Sequence, residues 1–202
     1  MKDYEPWLIP YVPEKGEVAI DVGANKGVWT RYLAGRFRVV HAIEPNPEVL
    51  PDLRADLPAN VTVHAVAAWQ EETVLSFKRY ASPDHLSAFN EGTLLGQIGT
   101  VGPVLGTVEL PAVRLDFLPI PGRIDFIKCD TEGGEYQCIR GAENLIRENR
   151  PFLLIEIHSS ENFKRLSRYL AGLGYLYRVI EHPLLSPDSP YRPEHFWLVA
   201  QG

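Results

Sequence analysis

Short apolar runs that stop at charge or glycine alternate along this chain with stretches whose apolar residues recur at helical spacing. The first run, Glu17-Val18-Ala19-Ile20-Asp21, is apolar at successive inner positions and leads into glycines, the pattern of a parallel strand buried on both faces. Residues 27–34 follow as a helix with Val28, Tyr32 and Trp29 on one face. A second strand over 38–43 stops at Glu44-Pro45-Asn46-Pro47; Pro47 suits the opening of a helix over 48–56, which Pro51 distorts or shifts. Residues 61–68 form a third strand, and 74–79 and 107–114 two more around a loop-rich segment, 81–106. A fourth parallel strand spans 125–130, a helix covers 135–149, and a fifth strand runs over 151–157. A helix over 162–173 ends at Gly174, and strands at 175–180 and 196–200 are joined by a proline-rich stretch, 182–193.

This alternation predicts a doubly wound α/β sheet with right-handed crossovers. The last two strands have no helix between them, so an antiparallel pair is expected at one edge. The chain reads as one domain, 1–202, with an inserted β-containing segment at about 74–114. Composition adds exclusions. The chain is 45% apolar and 23% charged, as globular proteins are. Its net charge of −6, from 20 basic and 26 acidic residues, argues against a nucleic-acid partner. Two cysteines, Cys129 and Cys138, exclude a disulfide-dense scaffold and fit a reduced, cytoplasmic setting. No signal peptide is expected, and no run approaches the ~20 apolar residues of a membrane span, so no membrane partner is expected. Oligomeric state has no signature in the pattern.

The chemistry begins at Asp21-Val22-Gly23-Ala24-Asn25-Lys26-Gly27. A strand ending in glycines and feeding a helix brings backbone N–H groups, here at Gly23, Ala24, Asn25 and Gly27, toward a ligand. Nucleotide, flavin and adenosylmethionine sites share that feature. Asp21 separates them: a carboxylate opposes a pyrophosphate but favours the ammonium and sulfonium of S-adenosylmethionine. Glu44, at the end of the next strand, is placed to accept from both ribose hydroxyls, whichever adenosine ligand binds. Ala67 and Ala68, at the end of the third strand, leave room for an adenine ring.

Asp125-Phe126-Ile127-Lys128-Cys129-Asp130-Thr131-Glu132-Gly133-Gly134-Glu135 runs an apolar strand into three acids, two glycines and a helix. Ligands of open α/β sheets bind beyond the carboxyl ends of the strands, so Asp130 and Glu132 face the expected site, with Glu156 and His158 on the neighbouring strand end. Asp130, then Glu132, then His158 are the candidates for catalytic work on a hydroxyl acceptor. Asp130, Glu132 and Glu156 could alternatively hold a divalent ion, though no ligand spacing demands one and none is expected. Glu135 reads as an acid that favours the helix N-terminus, and Lys128 receives no role. Segments 81–106 and 182–193, with His85, Tyr136 and Tyr191, are expected to border the acceptor.

The sequence resembles the FkbM family of S-adenosylmethionine-dependent methyltransferases. The likeness rests on Ile20–Gly27, on Ile43-Glu44-Pro45-Asn46-Pro47, on Arg114-Leu115-Asp116, on the Lys128-x-Asp130-x-Glu132-Gly133 block with Arg140-Gly141-Ala142 after it, and on Leu154-Ile155-Glu156-Ile157-His158. Cys129, Thr131 and Gly134 depart from the family's usual residues but leave the charged positions intact. The resemblance implies a class I methyltransferase fold, a Rossmann-like three-layer sandwich around a mostly parallel seven-stranded sheet with an antiparallel C-terminal strand. Pro45 and Asp130 join the expected cofactor residues, and the resemblance implies methylation of an oxygen on a sugar, polyketide or other small metabolite, with S-adenosylhomocysteine as product. A nicotinamide-dependent oxidoreductase and a non-catalytic cofactor-binding protein are the alternatives.

Overall fold

The computed structural model describes residues 5–80, 86–88, 104–181 and 196–202. Seven strands form the main sheet: β1 (Gly16–Val22), β2 (Phe37–Ile43), β3 (Val61–His64), β8 (Ile124–Cys129), β9 (Phe152–Ile157), β10 (Leu176–Glu181) and β11 (Phe196–Gln201). Their order is β10-β11-β9-β8-β1-β2-β3. All neighbouring pairs are parallel except β11, which runs antiparallel to both β9 and β10. This is the expected mostly parallel sheet closed by an antiparallel terminal strand. Because side chains alternate across a strand, Val18, Ile20 and Val22 pack on one face and Ala19 on the other. The first face lies under α3 (Glu135–Arg140), α4 (Glu143–Asn149) and α5 (Ser160–Gly172), through Ile139, Ile146, Leu166 and Leu170. The second is covered by a 3-10 turn at Pro6–Tyr11, by α1 (Val28–Ala34) and by α2 (Leu50–Arg54), through Leu8, Trp29, Leu33 and Leu53.

Four elements differ from expectation, each for a local reason. In α1 the buried residues are Trp29, Thr30 and Leu33, whereas Val28, at the first helical position after the left-handed Gly27, is exposed. Pro51 sits in the first turn of α2 and delays its start to Leu50. The single strand expected over 61–68 is two: β3 stays in the main sheet, and β4 (Ala67–Ala68) joins a second sheet with β5 (Thr73–Tyr80), β6 (Leu86–Ala88) and β7 (Val104–Val113), in the order β4-β7-β5-β6. The helix expected over 135–149 breaks at Gly141 and Ala142 into α3 and α4. A Cβ on Gly141 would stand 1.9 Å from the backbone oxygen of Trp69, so the second sheet abuts the main helical layer here.

Candidate active site

A cleft lies beyond the carboxyl ends of β1, β2, β4 and β8 and encloses about 760 Å³ including its mouth. Val22, Gly23 and Asn25 form one wall and Ile43, Glu44, Pro45 and Asn46 the next. Ala67, Ala68 and Trp69 close the far end with Leu75 and Phe77 of β5, and Asp130, Thr131, Glu132 and Gly134 make the rim. Sequence reasoning named Gly23, Asn25, Glu44, Pro45, Ala67, Ala68, Asp130 and Glu132, and all of these line it. Asp21, Ala24, Gly27 and His158 do not. Tyr136 packs instead against Tyr169 and beneath Arg165, while His85 and Tyr191 lie outside the described residues.

The turn after β1 is built differently from a phosphate cradle. Gly23 and Ala24 donate to the Ile43 carbonyl (3.0 and 3.1 Å), and Gly27 donates to the Ala24 carbonyl (2.8 Å). Asn25 N–H donates to Glu44 Oε2 (2.7 Å) and Lys26 N–H to Asn25 Oδ1 (2.8 Å). All five amides are thus engaged inside the protein, so the expected donation from this turn to a ligand is not what it offers. Gly23 itself is required by space: it has φ +73°, and a Cβ would lie 1.7 Å from the Asp130 carbonyl oxygen.

Glu44 is the fixed point of the cleft. It is 6% exposed, with Oε2 accepting from Asn25 N–H and Oε1 from Asn46 N–H at 2.8 Å. Burial raises its pKa, and the two amides oppose that shift. Each oxygen keeps a further lone pair for a ligand.

Asp21 lies beneath the cleft. The β1–β8 register sets it opposite Lys128, and both are almost wholly buried. Asp21 Oδ2 accepts from the Thr30 hydroxyl at 2.6 Å, and Oδ1 lies 3.4 Å from Lys128 Nζ. Lys128 Nζ donates to the Gly23 carbonyl at 3.0 Å and lies 3.4 Å from Asp130 Oδ2. Burial works to lower the Lys128 pKa, but Asp130, Asp21 and Glu156 outweigh it and hold the ammonium above its usual range. One ammonium therefore ties the 23–27 turn to the rim, a role that sequence reasoning missed. Its signal was a lone cation inside the buried strand Ile124–Cys129.

His158 is 7% exposed. Its Nδ1 is 3.0 Å from Glu135 Oε1, and its Nε2 is 3.3 Å from Glu132, 3.8 Å from Asp130 and 4.0 Å from Glu156. Burial would lower its pKa, yet Glu132, Glu135 and Glu156 raise it well above normal, which favours the charged imidazolium. Its ring nitrogens lie between Glu135 on one side and Glu132 and Asp130 on the other, so it orients these acids. Burial, offset in part by His158, lifts Glu132 to about 7. Burial also pushes Asp130 upward, but Lys128 and His158 prevail and hold it below its usual range. Asp130, Glu156 and His158 bring one ligand-type atom each within 4.8 Å of one another, the described group best suited to share a small cation. Lys128 already supplies positive charge to Asp130 there.

Residues 21–177 match the methyltransferase FkbM domain. The chain belongs to the FkbM methyltransferase family. The crystal structure of an FkbM methyltransferase from Methylobacillus flagellatus KT is similar over 93% of this chain, with a TM-score of 0.65 and 21% identity. The present FkbM-family chain spans 44% of that protein's length. A Streptococcus mutans protein solved in complex with SAH is similar over 98% of this chain and 97% of its own, with a TM-score of 0.54 and 13% identity. These likenesses carry the class I methyltransferase fold. In sequence, 54 residues are 41% identical to the ribosomal RNA small subunit methyltransferase A of Rubrobacter xylanophilus, covering 26% of this chain and 21% of that protein. Among the described residues no helix is long and apolar enough to cross a membrane.

Proposed function

We propose that this FkbM-family chain is an S-adenosylmethionine-dependent methyltransferase acting on an oxygen of a small-molecule acceptor. Glu44 carries the reading. Its carboxylate is aimed into the cleft by two backbone amides, with lone pairs left for the two ribose hydroxyls. Ala67 and Ala68 leave space for the adenine, beside the apolar wall of Leu75 and Phe77. The internally engaged amides of the 23–27 turn give a pyrophosphate nothing to bind, which favours a sulfonium cofactor over a dinucleotide.

When bound, the cofactor supplies an electrophilic methyl group. The protein's own residues hold the acceptor and manage its proton. Glu132 faces the cleft and titrates near 7, suited to take a hydroxyl proton at neutral pH. Asp130, kept ionised by Lys128, orients the acceptor by accepting a hydrogen bond. His158, whose charged form these acids favour, holds both of them in place.

The Rubrobacter relative raises RNA as an alternative acceptor. The cleft speaks for an acceptor without phosphate: its lining includes Glu44, Asp130 and Glu132 and, among the described residues, no Lys or Arg. Calorimetric titration tests the reading. S-adenosylhomocysteine should bind with micromolar affinity, NAD should not, and an RNA oligonucleotide should not bind the loaded protein. Binding of NAD without S-adenosylhomocysteine would overturn the cofactor assignment, and tight RNA binding would overturn the acceptor class.

A further inference from the structure

Glu135 opens α3 and is wholly buried, behind the cleft rather than in its lining. Its carboxylate gathers three separate segments. Oε1 accepts from the backbone N–H of Thr131 (3.2 Å) and Gly133 (2.8 Å) and from the Thr131 hydroxyl (3.3 Å), and it faces His158 Nδ1 at 3.0 Å. Oε2 accepts from Asn162 Nδ2, in the first turn of α5. The amide of Asn162 has one orientation that serves its partners, because its Oδ1 accepts from Tyr136 N–H at 3.2 Å while its Nδ2 also donates to the Gly133 carbonyl at 3.4 Å. These partners of Glu135 are all donors, so the position requires acceptors on both side-chain atoms.

The two backbone amides that Glu135 binds flank Glu132. Glu132 stands at φ 56°, in the left-handed region, which costs a residue with a Cβ on the order of 1 kcal/mol. Pinning Thr131 and Gly133 to one carboxylate supplies the restraint that keeps Glu132 in that conformation, with its side chain in the cleft lining.

We propose that Glu135 is the positioning residue of the active site, holding the 131–133 loop so that Glu132 faces the cleft, and that Asn162 sets the direction of its hydrogen bonds. The inference rests on reading the cleft as the cofactor and acceptor site, while the loop's restraint can be measured without any ligand.

The test is an exchange of hydrogen-bonding roles. In Glu135→Gln the new amide meets the Asn162 amide donor to donor. In Asn162→Asp two carboxylates face each other. In the double variant the amide introduced at position 135 can donate to the carboxylate introduced at position 162, while its oxygen still accepts from Thr131 and Gly133. Native-state hydrogen exchange should show the Thr131 and Gly133 amides opening about tenfold faster in each single variant, with β1 and β8 unchanged. S-adenosylhomocysteine affinity should fall by about tenfold in parallel, and the double variant should return both to within about threefold of the wild type. Protection that is unchanged in the loop, lost evenly across the molecule, or not restored by the exchange overturns the proposal. Should Glu135→Gln fail to fold, recovery of folding and loop protection in the double variant supports it, and failure of both variants overturns it. If the wild-type chain does not bind S-adenosylhomocysteine, the cofactor reading fails while the exchange data still decide the role of Glu135.

Discussion

Lys128 sets one ammonium among two carboxylates and a carbonyl where the ends of β1 and β8 meet, out of contact with water. Breaking a buried pair by removing one partner leaves the other charge without compensation, at about 3–5 kcal/mol. Lys128→Met should lower stability by about that amount at neutral pH in urea unfolding. The loss should shrink as the pH falls through the carboxylate range, because Asp130, whose pKa Lys128 holds down, then takes up its proton and the wild type loses that pairing as well. A pH-independent loss would mean that Lys128 acts through packing alone. Asp21 belongs to the same unit, so Asp21→Ala is expected to weaken the fold as well as the cofactor site. Glu44→Ala removes a cleft-wall carboxylate held by two backbone amides and should reduce cofactor affinity with the fold intact. The sequence set both acids at strand ends facing the cofactor, Asp21 toward its positive charge and Glu44 toward its ribose. It could not show which one turns inward, because that depends on the pairing of Asp21 with Lys128 across two strands that are distant in the chain.

Among the elements, those defined by nearest neighbours were the most legible. The buried parallel strands read as apolar runs, and their positions hold to within a residue or two. Elements whose limits depend on a distant contact were not legible. Nothing near Val61–His64 announces that the next strand, Ala67–Ala68, leaves the main sheet, since that is decided by its pairing with Ala112 and Val113 on β7. Helix α5 is a local element that carries function. Its N-cap Ser159 accepts from Asn162 N–H and so fixes the first turn, which carries the residue that orients Glu135. Ser159→Ala should cost about 1 kcal/mol in urea unfolding. A change within error would show that the cap contributes nothing beyond the tertiary hydrogen bonds of Asn162.

Across the molecule as a whole, the cleft exists because two sheets meet. The main sheet supplies the turn, Glu44 and Asp130, and the second supplies Trp69, Leu75 and Phe77. Their junction is tight: the Trp69 ring lies 3.1 Å from where a Cβ on Gly134 would stand, and the Trp69 carbonyl leaves no room for one on Gly141. Gly141→Ala should therefore cost about 2–3 kcal/mol by overpacking and disturb the Trp69 environment in near-ultraviolet circular dichroism. Unaltered stability would mean that the second sheet is free to shift against the helical layer. The alternation of strands and helices, the glycine turn with its acid, Glu44, the acidic block after β8 and the family these imply could all be read from the chain alone, because each is a local pattern. Folding was needed to settle that Asp21 is paired beneath the cleft, that the turn's amides are already engaged and that Glu135 holds the rim. Those roles are set by partners brought together by the β1–β8 register and by the packing of α5 on α3, and no stretch of sequence contains both sides of such a contact.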